Sequence, residues 1–413
     1  MPHRQDFRDE VARFCERVHA EQTAFLGELV KVPSDNPPGD CAPHAARAAA
    51  LLKQRGLTVE HHPVPADLAR ANGMISMVNL IVRERFGKGP TIALNAHGDV
   101  VPPGEGWTTE PYGAEIRDGW MYGRGVAVSK SDFATYAYAV LALKSLGRPL
   151  AGAIELHLTY DEEAGGAIGP KWLLDQGLTK PDYAISAGFS YGIVTAHNGC
   201  LHLEVDLAGR SAHAARPETG HDALEAATRV LHALYEHRRG LAKIHSDVEG
   251  IDSPTLVVGL IKGGINTNVV PDAVTLRLDR RIVPEEDSAE VERRLGDLIR
   301  ESVRGLAGIR CELRRIMLAE PLKPAPGLER LVEPLRRNAE AVLGEPIATY
   351  GVPLYTDARH YAAAGIPTVL YGAGPRTLIE ANAHAANERL PLADLRKATE
   401  IVALTLLDLL SEP

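Results

Sequence analysis

The stretch NAHGDVVP (95–102) sets His97 and Asp99 at the end of the apolar run TIALNAH (91–97). That run reads as a strand, and in open α/β sheets ligands gather beyond the carboxyl ends of the strands. An imidazole there, with a carboxylate two residues on, fits a metal ligand and the group that orients it. Taken alone, the H-x-D pair favours a blander reading in which Asp99 caps a turn. Strands and helices alternate around it. Residues 43–55 read as an Ala-rich helix closed by Gly56. Residues 74–82, 154–160 and 183–187 read as strands, and 131–146 as a helix with Ser131 as N-cap and Gly147 just past its end. Strands separated by helices predict a sheet covered by helices.

The pattern changes after residue 198. LHLEVDLAG (201–209) puts Leu201, Leu203, Val205 and Leu207 on one face, and VTLRLDR (274–280) does the same with Val274, Leu276 and Leu278. Helical patterns cover about 221–238 and 291–303. Such strands predict an antiparallel sheet with helices on its apolar side. Pro321, Pro324 and Pro326 then break the chain. α/β character returns with a helix near 327–343, a strand at 368–372 and a closing helix near 392–410. The predicted architecture is an α/β domain with a mixed sheet flanked by helices, residues 1–198 and 317–413, interrupted by an α+β domain of residues 199–316. A chain of 413 residues exceeds one ordinary core and accommodates both.

Composition narrows the function. Charged residues make up 24% and the net charge of −9 is spread along the chain, which argues against nucleic acid as a partner. No apolar run approaches the roughly 20 residues that span a bilayer, so no membrane role is expected. The charged N-terminus lacks a signal-like apolar core, which points to the cytoplasm. Cys15, Cys41, Cys200 and Cys311 have no metal-type spacing and read as inert thiols of a reducing compartment.

Other segments carry candidate chemistry. TYDEEAGG (159–166) places Asp161, Glu162 and Glu163 at a strand end. Adjacent carboxylates repel unless cations or solvent compensate, so the choice is between a solvated acidic turn and a metal ligand beside a general base. His384 in AHAANE and His213 in GRSAHAARPETG are unremarkable singly. Asn268 and Arg281 lie thirteen residues apart, and Arg277, Asp279 and Arg281 share a strand face. A guanidinium beside an amide suits a substrate carboxylate, while a surface ion pair with Asp279 explains Arg281 equally well.

Together these segments resemble the metallopeptidase and deacylase family of acetylornithine deacetylase, succinyl-diaminopimelate desuccinylase, aminoacylase and glutamate carboxypeptidase. The resemblance runs in order through PSDNPPGD (33–40), NAHGDVVP, MYGRG (121–125), TYDEEAGG, GRSAHAARPETG (209–220), GGINTNVVPD (263–272), TDAR (356–359), GIPTVLYGAG (365–374) and AHAANE (383–388). It implies an amidohydrolase acting on a small carboxylate-bearing substrate such as an N-acyl amino acid or dipeptide. It implies that the inserted domain is a ferredoxin-like lid through which a homodimer forms. Of the matching residues, His97 would bind one zinc with Asp99 orienting it, and Glu162 would be the general base. Glu163 and His384 would bind the other zinc. His213 would cross from a partner subunit's lid to stabilise the oxyanion, and Asn268 and Arg281 would grip a carboxylate.

Two positions depart from the family. Where it places a bridging Asp, GRGVAVSKS has Val128. Where it places a Glu or Asp ligand, DYAISAGFS has Gly188. Neither offers a donor atom. The resemblance therefore implies zinc or another divalent metal at no more than one well-formed site, or none. Asp132, Ser129, Ser190 and Tyr191 are the nearby residues that could substitute, Asp132 being set back inside the predicted helix. Three readings stay open: a one-metal amidohydrolase, a metal-free enzyme using Glu162 with His213 and Lys130, and a binding protein on the same fold.

Overall fold

The computed structural model describes residues 2–147 and 149–411. They form two compact units. One comprises residues 1–195, 324–349 and 356–413, and the other residues 196–323 with 350–355. The second unit is thus slightly longer at each end than 199–316, and it takes in a short return segment that no sequence pattern marks.

The first unit is built on an eight-stranded mixed sheet. Its order is Val59–Pro63, Val78–Arg85, Ala153–Thr159, Thr91–His97, Tyr183–Ser186, Thr368–Leu370, Ile193–His197 and Thr349–Val352. Four neighbouring strands at its centre, those beginning at Ala153, Thr91, Tyr183 and Thr368, run parallel. Their carboxyl ends therefore lie along one edge. The strand Ala153–Thr159 is buried at every position and Thr91–His97 at all but the first, as expected of parallel strands covered on both faces. The helices Pro2–Val30, Lys130–Ser145, Glu329–Leu343 and Leu392–Leu410 pack on one another.

The helix Pro2–Val30 was not anticipated, because its charged residues hide the stripe that it buries. That stripe includes Val11, Cys15, Phe25, Leu26 and Leu29. The helix read as 131–146 starts one residue earlier, at Lys130. Its N-cap position is held by Ser129, not Ser131, and it carries no side-chain cap. The Ser129 hydroxyl is engaged elsewhere: it donates to the His97 carbonyl (3.0 Å) and accepts the His97 N–H (3.2 Å).

The second unit has the order strand, helix, two strands, helix, strand, which is ferredoxin-like. Its antiparallel sheet runs Thr255–Gly263, Ala273–Ile282, Gly199–Ala208, Arg310–Ala319. Leu201, Leu203, Val205, Leu207, Val274, Leu276 and Leu278 form a single core with Val230 and Leu234 of the helix Ala223–Leu241 and Leu295 and Ile299 of the helix Ser288–Ser302. Each such side chain contributes about 1.5–3 kcal/mol by leaving water. Asp222 caps the first of these helices by accepting the N–H groups of Leu224 (2.8 Å) and Glu225 (3.1 Å). Among the described residues no helix is long and apolar enough to cross a membrane.

Candidate active site

The parallel strands deliver His97, the Asp161–Glu163 turn, Gly188 and Gly372 to one edge of the sheet. Asp99 organises the first two. Its backbone carbonyl lies 3.0 Å and its Oδ1 3.4 Å from Nδ1 of His97. Its carboxylate also accepts the N–H groups of Glu162 (3.3 Å) and Glu163 (3.1 Å) and the amide of Asn36 (3.0 Å). Asp99 thereby orients the imidazole and ties it to the glutamate turn. That is more than capping a turn, and it leaves His97 Nε2 facing Glu162 Oε2 at 4.0 Å.

Glu162 and Glu163 sit in a single 3₁₀ turn closed by Gly165 and Gly166, both at positive φ. Gly166 is required for space as well as for conformation, since a Cβ there would collide with Asp357 and His360. Donor atoms of His97, Glu162 and Glu163 all lie within 4.8 Å of one another. His384 Nε2 is 3.1 Å from Glu163 Oε1, and its own residue is held at positive φ. The structure thus brings together four of the predicted residues, with Asp99 behind them.

The electrostatics are those of a crowded acidic centre. Burial, then Glu163 and Asp99, push the Glu162 carboxyl up to about 8 against the pull of His97. Burial, then Glu162, push Asp357 up to about 7, and among the described residues neither of its oxygens has a hydrogen-bond partner. Asp161 is raised by burial and by Asp357. Arg359 is the neighbouring cation, fastened to the carbonyls of Thr356 and Gly165. One imidazole and two carboxylates converging beside an unsatisfied buried acid match the donor chemistry of one divalent ion. A second ion finds no donor in Val128, whose partly buried side chain packs against the apolar core.

Three residues that sequence reasoning passed over, or treated differently, hold the site in shape. Glu388, the last residue of AHAANE, is fully buried. It pairs with Arg124 (2.7 Å) and accepts the N–H groups of Gly125, Ala127 and Val128 at 3.0–3.2 Å. The signal was present, since MYGRG and AHAANE are both matching segments and supply opposite charges. Lys130, which the metal-free reading uses beside Glu162 and His213, is buried and its Nζ donates to the Val32 carbonyl (3.1 Å); burial lowers its pKa to about 7. Asp132 does reach residue 188: its Oδ2 accepts the Gly188 N–H at 3.2 Å. Ser190 and Tyr191 are committed elsewhere, to the Gly372 carbonyl (2.9 Å) and to Asp394 (2.8 Å).

In the second unit His213 and Asn268 are neighbours. His213 bridges Val269, and the Ala214 N–H donates to the Asn268 carbonyl (3.0 Å). Arg281 lies elsewhere. The strand Ala273–Ile282 lies between them, and its run from Ala273 to Arg281 alone spans about 26 Å at roughly 3.3 Å per residue, while Asn268 pairs with the 212–214 segment beyond the Ala273 end. Asn268 and Arg281 of one chain therefore do not grip one carboxylate. The ion pair with Asp279 is real, with Nε to Oδ1 at 3.0 Å.

Residues 93–408, the span that carries His97, Asp99, Glu162, Glu163, His213, Asn268, Arg281 and His384, match the family described as peptidase family M20/M25/M40. The chain belongs to this family. Among M20 relatives, acetylornithine deacetylase of Myxococcus xanthus is 30% identical over 362 residues, covering 86% of this chain and 89% of that protein. Succinyl-diaminopimelate desuccinylase of Sulfurimonas denitrificans is 28% identical over 335 residues, covering 78% and 85%. Among solved M20 structures, a metallo-carboxypeptidase of Sulfolobus solfataricus superposes with a TM-score of 0.75 at 19% identity, covering 94% of this chain and 98% of that one, and shares the fold. As an M20 member, the chain is a hydrolase of amide or peptide bonds in small substrates.

Proposed function

We propose that this M20 hydrolase cleaves the amide bond of a small carboxylate-bearing substrate, an N-acyl amino acid or dipeptide, with Glu162 as general base and at most one divalent ion, zinc or a similar metal. The observation that carries this reading is the convergence of His97, Glu162 and Glu163 within 4.8 Å, with His384 3.1 Å from Glu163. Glu163 is the shared member, and with His97 and His384 it completes the three protein ligands typical of a catalytic zinc. Such an ion would supply Lewis-acid polarisation of the scissile carbonyl.

The remaining work falls to side chains. Glu162, as the carboxylate, takes the proton of the attacking water and passes it to the leaving nitrogen. Asp99 keeps His97 in one tautomer and orientation. Arg281 holds the substrate carboxylate while Asp279 steadies its Nε. His213 stabilises the oxyanion, with Asn268 beside it.

The distance between Asn268 and Arg281 gives the dimer its function in this reading. His213 and Asn268 act on the site of a partner subunit, and Arg281 acts on its own. The edge strand Thr255–Gly263 leaves Val257, Leu260 and Ile261 exposed, with Ile265 just beyond it, and an apolar unpaired edge invites pairing with a second copy. The free thiols fit a reducing, cytoplasmic setting.

The test is metal content and activity measured together in the wild type and in His384→Ala. Replacement of His384 is expected to remove one ion per chain along with activity, and chelation to inactivate the wild type reversibly. Loss of two ions would overturn the depleted site. Full activity after complete chelation would overturn the role of metal.

A further inference from the structure

The strand Gly199–Ala208 is divided cleanly between its faces. Leu201, Leu203, Val205 and Leu207 fill the core of the second unit, while His202, Glu204 and Asp206 line the other face. Cys200 falls in register with the polar residues. A free cysteine ordinarily behaves as a small hydrophobe, so a buried thiol on the polar side of an amphipathic strand needs a reason. Its sequence context, read alone, suggested an inert group.

The cross-strand register brings that reason into view. His202 lies directly opposite Asp279, and Cys200 opposite Arg281. The same carboxylate oxygen, Asp279 Oδ2, is 2.9 Å from His202 Nε2 and 3.6 Å from Cys200 Sγ. The sulfur, the imidazole nitrogen and the carboxylate oxygen all lie within 4.8 Å of one another. Arg281 takes the other oxygen, Oδ1, and so fixes which oxygen faces the pair. Cys200 is fully buried, whereas the side chains of His202 and Asp279 are 35% and 30% exposed, which leaves water a way to a fourth position.

We propose that Cys200, His202 and Asp279 form a second metal site, selective for a thiophilic divalent ion such as zinc. Ligand atoms about a tetrahedral zinc with bonds of roughly 2.0–2.3 Å stand about 3.3–3.8 Å apart. The sulfur–oxygen distance already meets this, and the nitrogen–oxygen pair has only to open by about half an ångström. All three donors stand on two adjacent strands of one sheet, which limits the rearrangement required. Binding exchanges the thiol proton and the hydrogen bond between His202 and Asp279 for the ion. The site does not rest on the catalytic reading, because the candidate active site contains no sulfur.

Cobalt(II) added to protein stripped of metal tests the proposal. A thiolate ligand produces a near-ultraviolet thiolate-to-cobalt charge-transfer band, and a site of nitrogen and oxygen ligands does not. The band is expected to appear in the wild type and to saturate by two equivalents per chain, since the catalytic cluster takes up cobalt without contributing to it. It should vanish in Cys200→Ser, weaken strongly in the partly exposed variant His202→Ala, and persist in His97→Ala. Circular dichroism should show each variant folded. No band in the wild type, or a band that survives in folded Cys200→Ser or stays undiminished in folded His202→Ala, overturns the site. Since His97→Ala reports on the catalytic cluster alone, either reading can fail without the other.

Discussion

The carboxylate of Asp132 accepts the backbone N–H of Gly188 through Oδ2 (3.2 Å) and that of Ala373 through Oδ1 (2.8 Å). It thereby joins the loops that follow two of the central strands. Burial pushes its carboxyl well above the usual carboxylate range. Glycine at 372 makes the room, since a Cβ there would run into the same carboxylate. Asp132→Asn replaces one acceptor by an amide donor and strands a buried N–H. It should destabilise the protein by about 1–3 kcal/mol in denaturant titration. A variant as stable as the wild type would show that the two N–H groups find water instead.

Residue 188 bears on the missing ligand as well. A Cβ at Gly188 would stand 2.8 Å from the Tyr371 nitrogen, closer than real Cβ atoms come to backbone. Gly188→Asp is therefore expected to lower stability by about 1–3 kcal/mol through overpacking, and not to restore a second ion. Thermal melts with metal analysis check both parts. A stable variant that gains an ion would reverse the conclusion.

Asp132 also shows where sequence reading stopped. Both the layered fold and the His97–Glu162–Glu163–His384 cluster were legible, because strand ends and matching motifs are local features. Asp132 looked set back from the lost carboxylate at Val128, four residues earlier, because it lies inside a helix. It is in the first turn, however, where Cα–Cβ bonds tilt back towards the N-terminus and over the preceding loop. Glu388 was quoted but given no role, since its partners lie some 260 residues away. The separation of Asn268 from Arg281 needed only strand geometry, since 274–280 already reads as a strand and the register widens it only to Ala273–Ile282.

Glu162→Gln removes the proposed base and keeps its size. It is expected to lower kcat by roughly 10²–10⁴-fold while leaving substrate binding by calorimetry intact. Turnover at the wild-type rate would remove Glu162 from the chemistry.

Arg281→Ala should raise KM for substrates with a free carboxylate by roughly tenfold or more, as the loss of about 1.5–3 kcal/mol from hydrogen bonds to a charged group requires. An esterified analogue should be affected little. Equal effects on both would end the carboxylate role.

Glu155 makes stability depend on pH. Burial works against its charge, yet His157 (3.0 Å), Thr179 and Arg83 hold the carboxyl down at about 2. A depressed folded value contributes stability above the unfolded value near 4.5, and that contribution is lost as the pH falls from there towards 2. Glu155→Gln should cost about 1–3 kcal/mol at neutral pH, and the gap to the wild type should close between about pH 4.5 and 2. A gap that stays constant through this window would assign the loss to packing.

The division of labour between subunits makes the sharpest prediction. Glu162→Gln and His213→Ala should each be inactive as homodimers. If His213 serves the partner's site, a mixed dimer carries one site with both defects and one with neither. Unfolding and refolding the two variants together should then restore about a quarter of wild-type activity, because random pairing makes half the dimers mixed and each has one intact site. If His213 instead serves the site of its own chain, every site in the mixture keeps one defect and no activity returns. The recovered rate therefore distinguishes a lid that acts across the dimer from one that closes on its own chain.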